Sequence, residues 1–181
     1  MAAINFFMGM LCLGFVSWGS MPGSNFITFK KQIYTYEKSK NGRAIVDIAR
    51  KEIGVRESAH NSGKRVSEYL NYVGFKQAAP WCAGFVSWCH KEIGLAEPRS
   101  AWSPALFPLS RLARDGLPGM VIGIYYPSIG RIGHVGLIER VQGSLIFSIE
   151  GNTNVAGSRE GDAVMRKIRH KRTIAKYADW L

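Results

Sequence analysis

The sequence predicts an α+β fold, with helices packed on an antiparallel β-sheet, from three observations. Apolar residues recur at helical spacing from residue 42 to residue 94. Four prolines then fall between residues 98 and 119 and interrupt regular structure. After Pro118-Gly119 the pattern changes to short β-rich runs separated by turn residues. Helices first and strands second is the order of an α+β domain. At 181 residues, with 46% hydrophobic and 20% charged residues, one domain with short extensions is expected, and it is large enough to bury a core.

Residues 4–18 are almost wholly apolar and short for a membrane span, and small residues follow at Ser17, Gly19 and Ser20. Residues 1–20 are therefore an export signal, which would send the protein to the periplasm, cell envelope or outside, or a buried apolar N-terminal segment. No Lys or Arg precedes the run, which counts against the signal. Residues 21–41 read as an irregular polar lead-in, and the main domain as 42–181.

Within that domain, Ile45, Ile48, Ala49 and Ile53 share one face of a helix over 42–53 that Gly54 ends. A polar loop over 55–62 leads to a second helix at about 64–72, with Val66, Tyr69 and Leu70 inward. Pro80 suits the first position of a third helix, ending at Gly94, whose first turn carries Cys82. One short helix is expected near 105–114. Strands follow over 120–126, 133–141, 144–150 and, as a long basic run, 164–174, with a loop over 151–163.

The three cysteines are Cys12, Cys82 and Cys89. Cys82 and Cys89 are two helical turns apart, about 10 Å along the axis, too far for a disulfide. No Cys/His zinc spacing occurs. Neither a metal nor a cofactor is expected. Cys89 reads as a small buried hydrophobe. A thiol at a helix N-terminus feels unpaired N–H groups and the positive end of the helix dipole, and both favour thiolate.

Such a nucleophile needs a base and a group that orients the base. Of the four histidines, His60 lies in a polar loop, His90 more than two turns along the cysteine helix and His170 in the basic run. His134, opening a strand behind Gly133, is the best candidate. Glu150 and Asn152 are two apart at the end of the following strand and share a face if the strand persists. A two-residue loop at Gln142-Gly143 would set His134 opposite Gly151 and turn Glu150 away. A catalytic role therefore demands a three-residue loop or a bulge. Trp81 and Trp88 read as core or groove-wall aromatics, with Trp81 bordering the substrate cleft.

Pro-Trp-Cys-Ala-Gly-Phe-Val-Ser-Trp-Cys at 80–89, Gly-His-Val-Gly at 133–136 and Ile-Glu-Gly-Asn-Thr at 149–153 together resemble the CHAP family of cysteine amidases and peptidases, within the NlpC/P60 superfamily. The likeness covers about residues 42–178 and departs from the family at Met120, where such domains open Pro-Gly-Asp. It implies a papain-like fold and cleavage of amide bonds in peptidoglycan, by an amidase or an endopeptidase. It also implies Cys82 as nucleophile, His134 as base, Glu150 and Asn152 as orienting groups, and a monomer that needs no cofactor.

The net charge of +11 favours anionic partners: nucleic acid, acidic wall polymer or a membrane surface. The densest run, residues 166–172, reads as a solvated edge strand, and no nucleic-acid-binding signature accompanies it. Two other readings remain open. One is a non-wall cysteine protease or acyltransferase. The other is a catalytically idle basic module that binds the wall or nucleic acid.

Overall fold

The computed structural model describes residues 23–156 and 160–181. The apolar segment 1–20, with Cys12, lies outside them. The chain divides into two units at residues 35 and 36. The described part of the first is helical, with Ile27, Phe29, Ile33 and Tyr34 exposed. The second carries the α+β body.

Helix α1 runs over Gly23–Lys51, so the expected irregular lead-in is helical from Gly23 onward instead. No glycine or proline stands between Ser24 and Asn41 to break it. Its last three turns bury Ile45, Val46 and Ala49. Helix α2 spans Lys64–Tyr72, and α3 spans Cys82–Glu92. Every residue of α3 from Cys82 to His90 is buried, so it is the central helix. Glu52, beyond the end of α1, is bonded to Arg65 of α2 at 2.7 and 2.8 Å and accepts the Tyr69 hydroxyl. Tyr69 packs edge-on against Phe85 and Trp88 of α3.

The helix expected near 105–114 is replaced by 3-10 turns at Ser103–Leu106 and Leu109–Arg111, followed by the short strand β1 (Leu112–Ala113). Pro108 stands between the turns and cannot continue a helical ladder. Strands β2 (Val121–Tyr126), β3 (Arg131–Gln142), β4 (Leu145–Thr153), β5 (Ala163–His170) and β6 (Lys176–Ala178) complete the sheet. Its order is β1-β6-β2-β3-β4-β5, and every pairing is antiparallel. The basic run is β5 at one edge, but it stops at His170. A 3-10 turn then leads to β6 between β1 and β2, a strand the periodicity did not suggest.

The β3–β4 hairpin meets the geometric demand. At the turn Gln142 pairs with Leu145, so the two-residue connection is Gly143-Ser144, with Gly143 at φ +56°. Arg140 pairs with Phe147, but Ile138 pairs with Ser148, so Glu139 bulges. That single extra residue changes the parity. Extended along the strands, the new register sets Gly136 opposite Glu150 and His134 opposite Asn152. The bulged Glu139 is itself held by Arg50, at 2.7 Å, and by Arg166.

Gly136 is required at this place. A Cβ there would stand 2.5 Å from Cγ of Glu150 and 3.2 Å from the Ile149 carbonyl oxygen. Gly136→Ala is expected to cost about 1–3 kcal/mol and to push the Glu150 carboxylate off His134. Chemical denaturation together with the pH profile of Cys82 alkylation measures both effects.

Candidate active site

Three elements bring the predicted nucleophile, base and acid together. Cys82 is the first residue of α3, so its own backbone N–H has no acceptor within the helix. Its thiol is 4% exposed and lies 3.5 Å from the Ser103 hydroxyl. His134, on β3, is 1% exposed. Its Nε2 is bonded to Glu150 of β4 at 2.9 Å. Its Nδ1 is buried without a conventional hydrogen bond, and Cys82 acts on the ring together with Glu150. With Nε2 occupied, Nδ1 is the nitrogen left to address the thiol.

The electrostatics follow from burial set against partners. Burial alone would raise the Cys82 thiol, but His134, Ser103 and the Val135 backbone hold it below its ordinary value. Burial would lower His134, yet Cys82 and Glu150 lift it to about 9. Burial would raise Glu150, and Arg169 and His134 together bring it down to about 2. These directions favour the thiolate form of Cys82 and the protonated form of His134, with an ionised carboxylate behind the ring. By contrast, burial pushes the Cys89 thiol well up, and its sulfur stays inert. His90 is fully buried and lowered to about 4 by desolvation.

Glu150 is completely buried, and four contacts satisfy it. Arg169 of β5 donates two bonds of 2.5 Å, the Ser148 hydroxyl donates at 2.6 Å, and His134 completes the set. The bidentate guanidinium fixes the carboxylate plane and therefore the imidazole plane. The basic strand is thus not merely a solvated edge. Arg166 and Arg169 bond carboxylates, and Lys167 bonds the Asn154 carbonyl. Arg169 was not legible in the sequence, because only the β4–β5 register aims it at Glu150.

Asn152 does not join the base. Its φ of +54° breaks the regular alternation within β4, and the β4–β5 register shifts between Glu150 and Thr153. Its side-chain oxygen accepts the Trp81 backbone N–H at 3.3 Å. Its amide donates to the Gly161 carbonyl at 2.6 Å, to Glu57 at 3.2 Å and to Asn61 at 3.3 Å. Asn152 therefore ties the residue before Cys82 to the 55–62 loop, and the orientation of His134 rests on Glu150. The Gly-Asn pair is a turn signal that pointed to this departure.

Trp81 corrects a second expectation. It is fully buried, stacks on Tyr69 and donates its indole N–H to Glu57 at 2.6 Å, so it does not border the cleft. Its ring packs against Gly151, where a Cβ would come within 2.7 Å. Trp102, 53% exposed, and Phe75 are cleft aromatics instead. They line a cavity of about 410 Å³ that Cys82, Ser103, Gly133 and Asn152 also reach. That volume lies in the ordinary range for a small-molecule or peptide-residue pocket. The proline-rich stretch around Trp102 offered only a loop signal.

Among the described residues no cluster of His, Cys, Asp and Glu could hold a metal, and no helix is long and apolar enough to cross a membrane.

No protein-family model matches the chain, and no curated protein matches it. A solved structure described as the crystal structure of Ly7917 aligns at 15% identity with a TM-score of 0.49. The alignment covers 76% of this chain, and the chain spans 61% of the length of that one.

Proposed function

We propose that the chain is a cysteine hydrolase of the papain-like NlpC/P60 type, resembling the CHAP family, that cleaves an amide bond in the peptide part of peptidoglycan. The observation that carries this reading is the buried alignment of Cys82, His134 and Glu150 at a cavity that exposes only the nucleophile. The wall as substrate draws on the resemblance of residues 80–89, 133–136 and 149–153 and on the net charge of +11, which suits a polymer bearing carboxylates. Export to the cell envelope follows if residues 1–20 act as a signal.

The chemistry is acyl transfer. The Cys82 thiolate attacks the amide carbonyl and forms the C–S bond. The Cys82 backbone N–H at the start of α3 holds the oxyanion. The proton on Nδ1 of His134 passes to the leaving amine as the C–N bond breaks. The neutral imidazole then takes a proton from water, the hydroxide displaces the thiolate, and the carboxylic acid product leaves. Glu150 keeps Nε2 protonated and supports the imidazolium at each stage.

Digestion of purified peptidoglycan, with Cys82→Ala as control, tests the proposal. Glycan freed of peptide identifies an amidase, and shortened peptides identify an endopeptidase. Intact muropeptides across pH and wall types would overturn the wall reading. Cleavage of other amides under the same conditions would move the activity to a non-wall protease or acyltransferase. Salt-sensitive binding without cleavage would leave an idle basic module.

A further inference from the structure

The cavity beside Cys82 carries two guanidiniums that the catalytic group does not use. Arg99 and Arg131 both line it. Arg99 stands over the Tyr72 ring, 5.1 Å from its centre, and its Nε donates to the Tyr72 carbonyl at 2.8 Å. Arg131 lies over Trp102, 3.9 Å from the ring centre, and donates to the adjacent Ile132 carbonyl at 3.1 Å. Arg50, Arg56, Arg65, Arg166 and Arg169 each pair with a carboxylate. Among the described residues Arg99 and Arg131 form no such pair. Glu160 also lines the cavity, so among the described lining residues guanidiniums outnumber carboxylates two to one. Val73, Phe75 and Pro80 supply apolar wall, and Ser100, Ser103 and Asn152 supply polar wall.

Aromatic stacking and a backbone bond hold each guanidinium in place and leave most of its fixed N–H donors unused. Ordering two long cationic side chains beside a nucleophile is favourable when an anion arrives to use them. We propose that Arg99 and Arg131 form a carboxylate-reading subsite, which selects acidic peptides whose cavity-seated residue carries a free carboxylate on a short aliphatic stem. As a statement about substrate, this rests on the amide-hydrolase reading above. As a statement about anion binding beside Cys82, it does not.

Alkylation of Cys82 separates the two. Iodoacetate and iodoacetamide attack the same sulfur and release the same iodide, but only iodoacetate places a carboxylate in the cavity. Rates are read by peptide mass at Cys82 in the full chain and in Arg99→Gln, Arg131→Gln and the double variant. The iodoacetate-to-iodoacetamide rate ratio is expected to fall about tenfold in the double variant, with the single variants between. The iodoacetamide rate itself stays within about twofold, which reports an intact thiol site. An unchanged ratio would overturn the subsite. Protection of the unaltered chain needs no variant: succinate should slow iodoacetamide alkylation and succinamide should not. Equal effects of the two would also overturn it. With peptide substrates, amidating the carboxylate should raise KM about tenfold in the parent and leave the double variant unaffected. If no peptide is cleaved but the alkylation ratio shifts, the hydrolase reading falls and the anion subsite stands. If peptides are cleaved and neither the ratio nor the protection responds, the subsite falls alone.

Discussion

His134→Ala should lower turnover of a cleavable peptide by about a thousandfold or more while the protein stays folded. The imidazole does two jobs here, and both disappear. Burial pushes the Cys82 thiol up, and His134 is the first of the groups that bring it down. Without the ring, Ser103 and the Val135 backbone remain, and the thiol returns toward or above its ordinary range. The proton for the leaving amine is lost as well. Glu150 keeps both bonds from Arg169 and the bond from Ser148, so no buried charge is stranded. Stability should therefore fall by only about 1–3 kcal/mol. Single-turnover kinetics and a denaturation curve on the same variant measure the two quantities, and a large loss of turnover with a small loss of stability is the expected combination.

Glu150→Gln should show the opposite balance. The carboxylate is fully buried between Arg169, whose side chain is only 15% exposed, and the His134 ring. Neutralising it strands a guanidinium in the interior, at a cost of about 3–5 kcal/mol. The pH dependence fixes the sign. Glu150 titrates near 2 in the folded protein, below its ordinary 4.5. Its ion pairs therefore contribute fully above pH 4.5, and the contribution fades as pH falls toward about 2. The parent should lose stability through that acid range, and the variant, already without the pair, should show a flatter acid limb. The imidazolium also loses its counter-charge, so the His134 pKa should drop below about 9 and narrow the active pH range from above. Denaturation at a series of pH values, followed by NMR titration of the imidazole, reads both changes.

Cys82, His134 and Glu150 were legible in the sequence because each sits where local chemistry marks it. A cysteine opens an apolar helix, a histidine lies near the start of a strand, and an acid stands near the end of the next strand. Strand parity requires a loop change or a bulge between His134 and Glu150, and the bulge falls at Glu139. What escaped was everything set by contacts between distant segments. Arg169 reaches Glu150 only through the β4–β5 register. Trp81 is drawn into the interior by Glu57, on a loop that periodicity cannot place. Asn152 does lie in β4, but its positive φ turns its side chain toward Trp81. The first half of α1 was missed for a different reason. Its apolar side chains, Ile27, Phe29, Ile33 and Tyr34, stand exposed on a helix that no breaker interrupts, and periodicity is silent where the described side chains form no buried face.

The proposed acyl transfer depends on a thiolate–imidazolium pair at Cys82 and His134. The rate of iodoacetamide alkylation at Cys82, resolved by peptide mass and followed from about pH 4 to about pH 10, tests it most directly. The predicted profile reaches a reactive plateau below the ordinary thiol range and changes again near pH 9, as His134 gives up its proton. A single rise at an unperturbed thiol pKa of about 8.5, the same in the parent and in His134→Ala, would contradict it.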